Sequence, residues 1–387
     1  MMRRTRSLKA AIIAGLLASG TAAGQERAPA GCPGQRAEPG PAARVGASGP
    51  RLLLDEDFPD PFIARFGAEY FAYGTGVAGR HAQLVRSRDL RRWSAPQEVL
   101  PASHFPEWID RGHPQVWAPE AIRIAGRYVL YFNARHRTLT RTETPPEGPR
   151  VLQRHCLGAA VADRPEGPFT GIATPLVCAE FEHGTIDAHV FQDGGPGGPL
   201  YLYYKEDSNC CSPGSAIWVQ GMSPDGLAAL GPATRLVASN DSPGREDDWE
   251  WRVVEAPTMV RRGSAYFLFY TGNHFGNRNY SAAYLRCASP RGPCSDPGEN
   301  PILWSHAETP LIGPGHQSVL ENGGRTQFFF HGWNRDPDRQ RTEGPFKRCL
   351  YASQVRWEQG PGGLERPVIV GGEPSVLPSD DPSLERR

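Results

Sequence analysis

After the first fifty residues, apolar and polar positions alternate in short runs separated by glycine-containing turns, the mark of short antiparallel strands. Beyond the N-terminal segment no stretch of helical length keeps a 3.6-residue period. Five stretches share one layout: DPFIARFGAEYFAYGTG, APEAIRIAGRYVLYFNA, DAHVFQDGGPGGPLYLYYKE, EAPTMVRRGSAYFLFYTGN and HQSVLENGGRTQFFFHGWN. Each holds a short apolar strand, a turn whose glycine supplies positive φ, and an alternating or wholly aromatic strand. The second strands begin near Tyr70, Tyr128, Tyr201, Tyr266 and Gln327, a spacing of about 60–70 residues. A β-sandwich with irregular loops is the other home for such strands. Five evenly spaced units instead predict an all-β, five-bladed β-propeller over residues 51–375.

A propeller makes one position of every repeat matter, because the first strand of each blade lines the central channel. Three residues before the apolar anchors Ile63, Val190 and Val319 stand Asp60, Asp187 and His316, and four before Met259 stands Glu255. The second repeat offers Ala118 and Pro119 there, with Glu120 just after. Three carboxylates and an imidazole, far apart in sequence, are thus expected at matching places around one small space.

Converging carboxyls suit acetal hydrolysis, which needs one protonated to assist the leaving group and another ionised to activate water. Glu255 lies in the apolar run VVEAP, where desolvation favours the protonated form, and is read as the general acid. Asp60 follows the polar DFPD loop and is read as the base, leaving Asp187 to orient and tune Glu255. Taken singly, each has a plain structural reading. Asp-Pro is a turn dipeptide, Asp187 suits a strand-edge turn, and Glu255 has Arg252 and Arg261 as ion-pair partners in reach.

Composition narrows the classes. Lys+Arg and Asp+Glu both number 42, so there is no basic field for a nucleic-acid or anionic-membrane partner. Residues 1–24 run from basic residues through a short apolar stretch, Ala10 to Leu17, to small residues at Ala22, Ala23 and Gly24, which reads as a secretory signal. Residues 25–50 read as a flexible linker and 376–387 as a disordered tail. A secreted or periplasmic location follows, with no membrane attachment after signal cleavage. The eight cysteines then favour disulfides, Cys287 and Cys294 across SPRGP being the best local pair. Adjacent Cys210 and Cys211 are not expected to pair with each other. The run EDDWE (246–250) reads as a solvated acidic loop.

The ordered set DPFIARFGAEYFAYGTG, SRDLRRW (87–93), WAPEAIRIAGRYVLYF, RPEGPF (164–169), IDAHVF, VVEAPTMV and GPGHQSV (313–319) resembles glycoside hydrolase family 43 over nearly all of residues 51–370. The resemblance implies an inverting enzyme on arabinose- or xylose-containing glycans, with Asp60 as base, Asp187 as pKa modulator and Glu255 as acid. Inversion implies about 6.5–9.5 Å between the Asp60 and Glu255 carboxyls, room for a water. His316 matches the family's axial histidine, near which a structural Ca²⁺ is expected to draw most of its ligands from water; the chemistry itself requires no cofactor. Two departures stand out: Glu120 where the family often has Asp, and Glu-Ala-Pro where it often has Glu-Gly-Pro. Sugar contacts are expected from Phe58, Trp117 and Trp333, as aromatic faces for the C–H face of a sugar ring, and from Lys205, with Asn209 close by. An ion pair of Lys205 with Glu206 or Asp207 is the alternative. Trp93 and Trp357 are expected in the core. The competing functions are an endo-arabinanase and a non-catalytic carbohydrate-binding propeller. A retaining fructan-active relative would want an Asn-Asp-Pro-Asn-like stretch, which DFPDPF is not.

Overall fold

The computed structural model describes residues 49–178, 181–209, 214–239, 249–305, 311–322, 324–334 and 346–370. The expected signal and tail, all but the last two residues of the expected linker, Cys32, Cys210, Cys211, and Glu246 to Asp248 of the acidic run lie outside these. Among the described residues no helix is long and apolar enough to cross a membrane.

The strands form five antiparallel sheets, one per repeat. Blade one comprises Phe62–Phe66, Glu69–Thr75, Ala82–Ser87 and Gln97–Glu98. Blade two comprises Trp117–Ile124, Arg127–Glu143, Arg150–Ala162 and Thr170–Gly171. Blade three holds Thr185–Gln192, Leu200–Glu206, Ala216–Met222 and Ala229–Ala238. Blade four holds Val254–Arg262, Ala265–Gly272, Ser281–Cys287 and Cys294–Ser295. Blade five starts with Ile312–Asn322, Arg325–Trp333 and Arg348–Gln359. Its outer edge is shared by the first and last strands of the described residues: Glu365–Val370 pairs along Gln354 to Gln359, and Arg51–Leu54 along Leu350 to Ala352. The first strand of each blade touches that of the next, and the fifth touches the first, which closes the ring.

The aromatic strands follow from burial on both faces. Side chains alternate across a strand, so in a blade packed between two others both sets are buried. Phe267 and Phe269 meet Phe328 and Phe330 in the seam between blades four and five. Their neighbours Leu268 and Tyr270 face the other way, onto Tyr203 and Val219 of blade three. Phe329 turns towards Ile63 and Ala72 of blade one. Five apolar clusters fill the five seams, and each buried aromatic keeps about 150–250 Å² from water.

Trp357 sits in the seam of blades four and five as expected, its indole N–H donating to Thr326. Trp93 packs against the blade-one cluster but lies in a loop rather than a strand. Cys287 pairs with Cys294, and Cys156 with Cys178, a bridge that sequence spacing did not single out. The acidic run needs correction at its end. Glu250 is buried and accepts the Tyr270 hydroxyl at 2.5 Å, so this residue is not part of a solvated loop.

Candidate active site

One backbone irregularity builds the site, and it occurs five times. In blades two to five the ladder between first and second strands breaks after Trp117, Ile186, Glu255 and Gly315, and resumes at Glu120, His189, Thr258 and Ser318. Blade one repeats it: Thr75 N–H reaches the Pro59 carbonyl at 3.0 Å, and pairing resumes at Phe62. Each is a β-bulge of one extra residue, a device that bends a strand and re-aims a side chain. Its first residue is left-handed every time: Asp60 (φ 55°), Ala118 (44°), Asp187 (56°), Ala256 (52°) and His316 (50°). Non-glycine residues there cost of order 1 kcal/mol each, and such strain gathers at functional sites. The second bulge position is unpaired, so it tolerates Pro61, Pro119 and Pro257, which have no N–H to lose.

The equivalence expected from sequence therefore needs one adjustment. Asp60, Asp187 and His316 share the left-handed position, whereas Glu255 stands one residue earlier and Ala256 takes its place. The methyl of Ala256, where glycine would be unstrained, occupies that left-handed node.

A second ring ties the blades together. Opposite the residue before each bulge, the second strand presents Thr75, Asn133, Lys205, Thr271 or His331. Four of these accept the bulge N–H of the following blade: Thr75 from Ala118 (2.8 Å), Asn133 from Asp187 (3.4 Å), Thr271 from His316 (3.0 Å) and His331 from Asp60 (3.1 Å). Lys205 has no acceptor to offer. The Ala256 N–H turns instead to the Asp187 carboxylate at 3.1 Å, which brings Asp187 against the residue after Glu255.

The three carboxyls live in different surroundings. Asp60 accepts the Thr75 hydroxyl at 2.6 Å and the Arg348 guanidinium at 3.0 Å, with the His316 ring 3.4 Å away. Burial alone would raise its pKa; the Arg348 charge, then His316 and the Thr75 hydroxyl, hold it well below the usual carboxylate range. His331 takes no part as a cation. Burial lowers its pKa, and its Nδ1 accepts the Asp60 N–H, so the ring is neutral with its proton on Nε2. Asp187 is pushed up to about 6, first by burial and then by the neighbouring charge of Glu255, against the pull of His316 and Lys205. Glu255, 5% exposed, accepts the Tyr280 hydroxyl on Oε1 at 2.6 Å and the Lys205 ammonium on Oε2 at 2.5 Å.

The proposed sugar contacts divide. Trp333 stands beside the Asp60 cluster, its indole N–H on the Phe275 carbonyl at 2.7 Å, and Arg348 lies 5.8 Å over its ring. Trp117 precedes the blade-two bulge and stacks on His155, ring centroids 3.9 Å apart. Phe58 is a correction: it is fully buried in the seam of blades five and one, where no ring face is open to a sugar. Lys205 is another. It is fully buried, pairs with neither Glu206 nor Asp207, and holds Glu255 and Asn209. Asp207 belongs to Arg141 of the long blade-two hairpin. Glu120 reaches His189 of the next blade at 2.9 Å. Among the described residues no three His, Cys, Asp or Glu side chains converge as metal ligands, so a Ca²⁺ beside His316 would have to draw most of its ligands from water. Arg348, Tyr280 and Thr75 were not singled out from sequence, since each lies outside the repeated inner-strand position.

A five-bladed propeller that brings carboxyl groups of contrasting surroundings, Asp60 and Asp187, to its inner bulges suits the hydrolysis of glycosidic bonds. The chain belongs to the glycosyl hydrolases family 43, whose model matches residues 51–361, and it is an inverting glycoside hydrolase. It is 29% identical over 263 residues to Xylosidase/arabinosidase 43A of Humicola insolens, spanning 60% of this chain and 69% of that protein. It is 26% identical over 387 residues to the extracellular endo-α-(1→5)-L-arabinanase of Thermotoga petrophila, 83% of this chain and 73% of that protein. The crystal structure of a thermostable family-43 glycoside hydrolase superposes with a TM-score of 0.64 and 25% identity, over 87% of this chain and 97% of that one.

Proposed function

We propose that this protein is an exported α-L-arabinofuranosidase or β-xylosidase in type, acting on oligo- or polysaccharides that contain arabinose or xylose. Asp60 is the base, Glu255 the acid and Asp187 the modulator. The observation that carries the roles is the contrast between Asp60, held ionised by Arg348, and Asp187, pushed up to about 6 beside the buried Glu255. In one displacement Asp60 takes a proton from water as its oxygen bonds to the anomeric carbon. Glu255 gives its proton to the glycosidic oxygen as the C–O bond breaks. Export is supported by the signal-like N-terminus, by the extracellular relatives and by the two disulfides. Screening para-nitrophenyl arabinofuranosides and xylosides beside linear arabinan tests the substrate. Turnover of arabinan alone would favour the endo-arabinanase reading, and binding without turnover of any of them the non-catalytic one.

Two variants read the electrostatics. Arg348→Met removes the strongest group holding Asp60 ionised, so the acid limb of the kcat/KM profile moves about 1–3 pH units upward. An unmoved limb would leave Arg348 as a packing residue. Asp187→Asn keeps an acceptor for the Ala256 N–H and tolerates the left-handed backbone, but drops the charge that faces Glu255. The alkaline limb of kcat/KM then moves to lower pH, with turnover down about tenfold or more. Stability moves the opposite way. Because the folded pKa of Asp187 lies above the ordinary value, its ionisation opposes folding as pH rises from about 4 through about 6. Asp187→Asn therefore melts above the native protein at pH 7, and the gap closes towards pH 4.

A further inference from the structure

Lys205 is the exception in the ring of bulge contacts. Its second-strand position presents an acceptor in the other four blades, and a side chain without one here. It is fully buried, and an ammonium has three donors to place. Asn209 takes one and Glu255 Oε2 another. The substitution has two linked effects. It deprives the Ala256 N–H of the usual neutral acceptor, so that the Asp187 carboxylate is drawn onto that N–H. It also places a cation on the carboxyl that must give up a proton. Between Lys205 on Oε2 and Tyr280 on Oε1, the Glu255 carboxyl is clamped at both oxygens.

We propose that Lys205 is a positioning residue for the general acid, clamping the Glu255 carboxyl in its donating orientation. This rests on Glu255 being the acid. An uncharged acceptor at position 205, as in the other blades, would satisfy the backbone and leave Glu255 held by Tyr280 alone. The titratable groups around the pair are Asp187 on the inner strand of blade three, Asp207 beyond the strand of Lys205, and Asp60 and His316 on their own bulges. Tyr280, buried and raised well above its ordinary value by that burial, is a neutral hydrogen-bond donor to Glu255. Lys205 is thus the cation in direct contact with the acid. Asp207, two residues before Asn209, is held from outside, since Arg141 of the blade-two hairpin bonds both its carboxylate and its carbonyl.

The test uses the full-length enzyme with Lys205→Met and Lys205→Ala, on an unactivated oligosaccharide and on a 2,4-dinitrophenyl glycoside of the same sugar. The expected result is a fall in kcat of about 10²-fold on the oligosaccharide, with KM little changed. The dinitrophenyl glycoside, whose leaving group needs no proton, is largely spared. The alkaline limb of kcat/KM moves to higher pH, because the charge opposing protonation is gone. Added ethylammonium returns both the rate and the limb in Lys205→Ala. An unmoved alkaline limb, or equal losses on both substrates, overturns the proposal. Should Lys205→Met fail to fold, Lys205→Gln, neutral yet able to donate one hydrogen bond to Glu255, must show the same limb shift, and its absence counts equally against it. Glu255→Gln measured alongside separates the two claims: if that variant keeps turnover, the acid assignment itself falls, whatever Lys205 does.

Discussion

Glu255→Gln and Glu255→Ala lower kcat/KM on an unactivated arabino- or xylo-oligosaccharide by about 10²–10⁴-fold, the usual worth of a positioned general acid. The loss shrinks on dinitrophenyl glycosides, because a good leaving group departs without the proton that Glu255 supplies. That dependence on leaving group distinguishes loss of an acid from general damage. The pair of variants is needed because Lys205 is fully buried against the carboxylate. Truncation to Ala leaves an uncompensated ammonium, a change that costs about 3–5 kcal/mol in buried pairs, whereas Gln keeps an oxygen for Lys205. Circular dichroism and melting temperature separate the effects. A Glu255→Gln variant that folds and turns over the oligosaccharide at near-native rate would remove Glu255 from the mechanism.

Asp60→Asn and Asp60→Ala are expected to cost as much, about 10²–10⁴-fold, but with no relief from a better leaving group. Their defect lies in activating water, which every substrate requires. Asn is the informative replacement. It tolerates the left-handed backbone at φ 55° and still accepts the Thr75 hydroxyl, so the bulge and the Ala118 contact beyond it survive. Only the charge is lost, and with it the partner of Arg348. If Asp60→Asn retains activity on both substrate types, the base lies elsewhere and the Asp60–Arg348 pair is structural.

Much of this was legible in the strand pattern. Aromatic-rich apolar runs such as FLFY and FFF are what a strand buried on both faces requires, and five such strands at regular spacing leave few closed arrangements. The placing of Asp60, Asp187 and His316 three residues before an apolar anchor is the bulge seen in one dimension, and the recurring proline after that position marks its unpaired second residue. The offset of Glu255 by one residue was visible too, but its meaning was not, since only the pairing register shows Ala256 at the left-handed node. Phe58 misled because an aromatic beside a candidate base looks like a sugar platform. The turn before blade one instead folds it into the seam with blade five, a contact between residues almost three hundred apart.

By itself, then, the chain's alternation and spacing determined the propeller, its repeat boundaries and the set of inner-strand carboxyls, because these depend on local periodicity and on copies of one motif. The closing of blade five by Arg51–Leu54, the Arg348 contact that holds Asp60 ionised, the turn of the Ala256 N–H to Asp187, and the clamp of Lys205 and Tyr280 on Glu255 were decided only by the tertiary structure. The physical reason is that each joins groups on different strands or blades. Desolvation and Coulomb energy depend on distance in space, and no local pattern in the chain encodes which distant side chain will stand opposite a bulge.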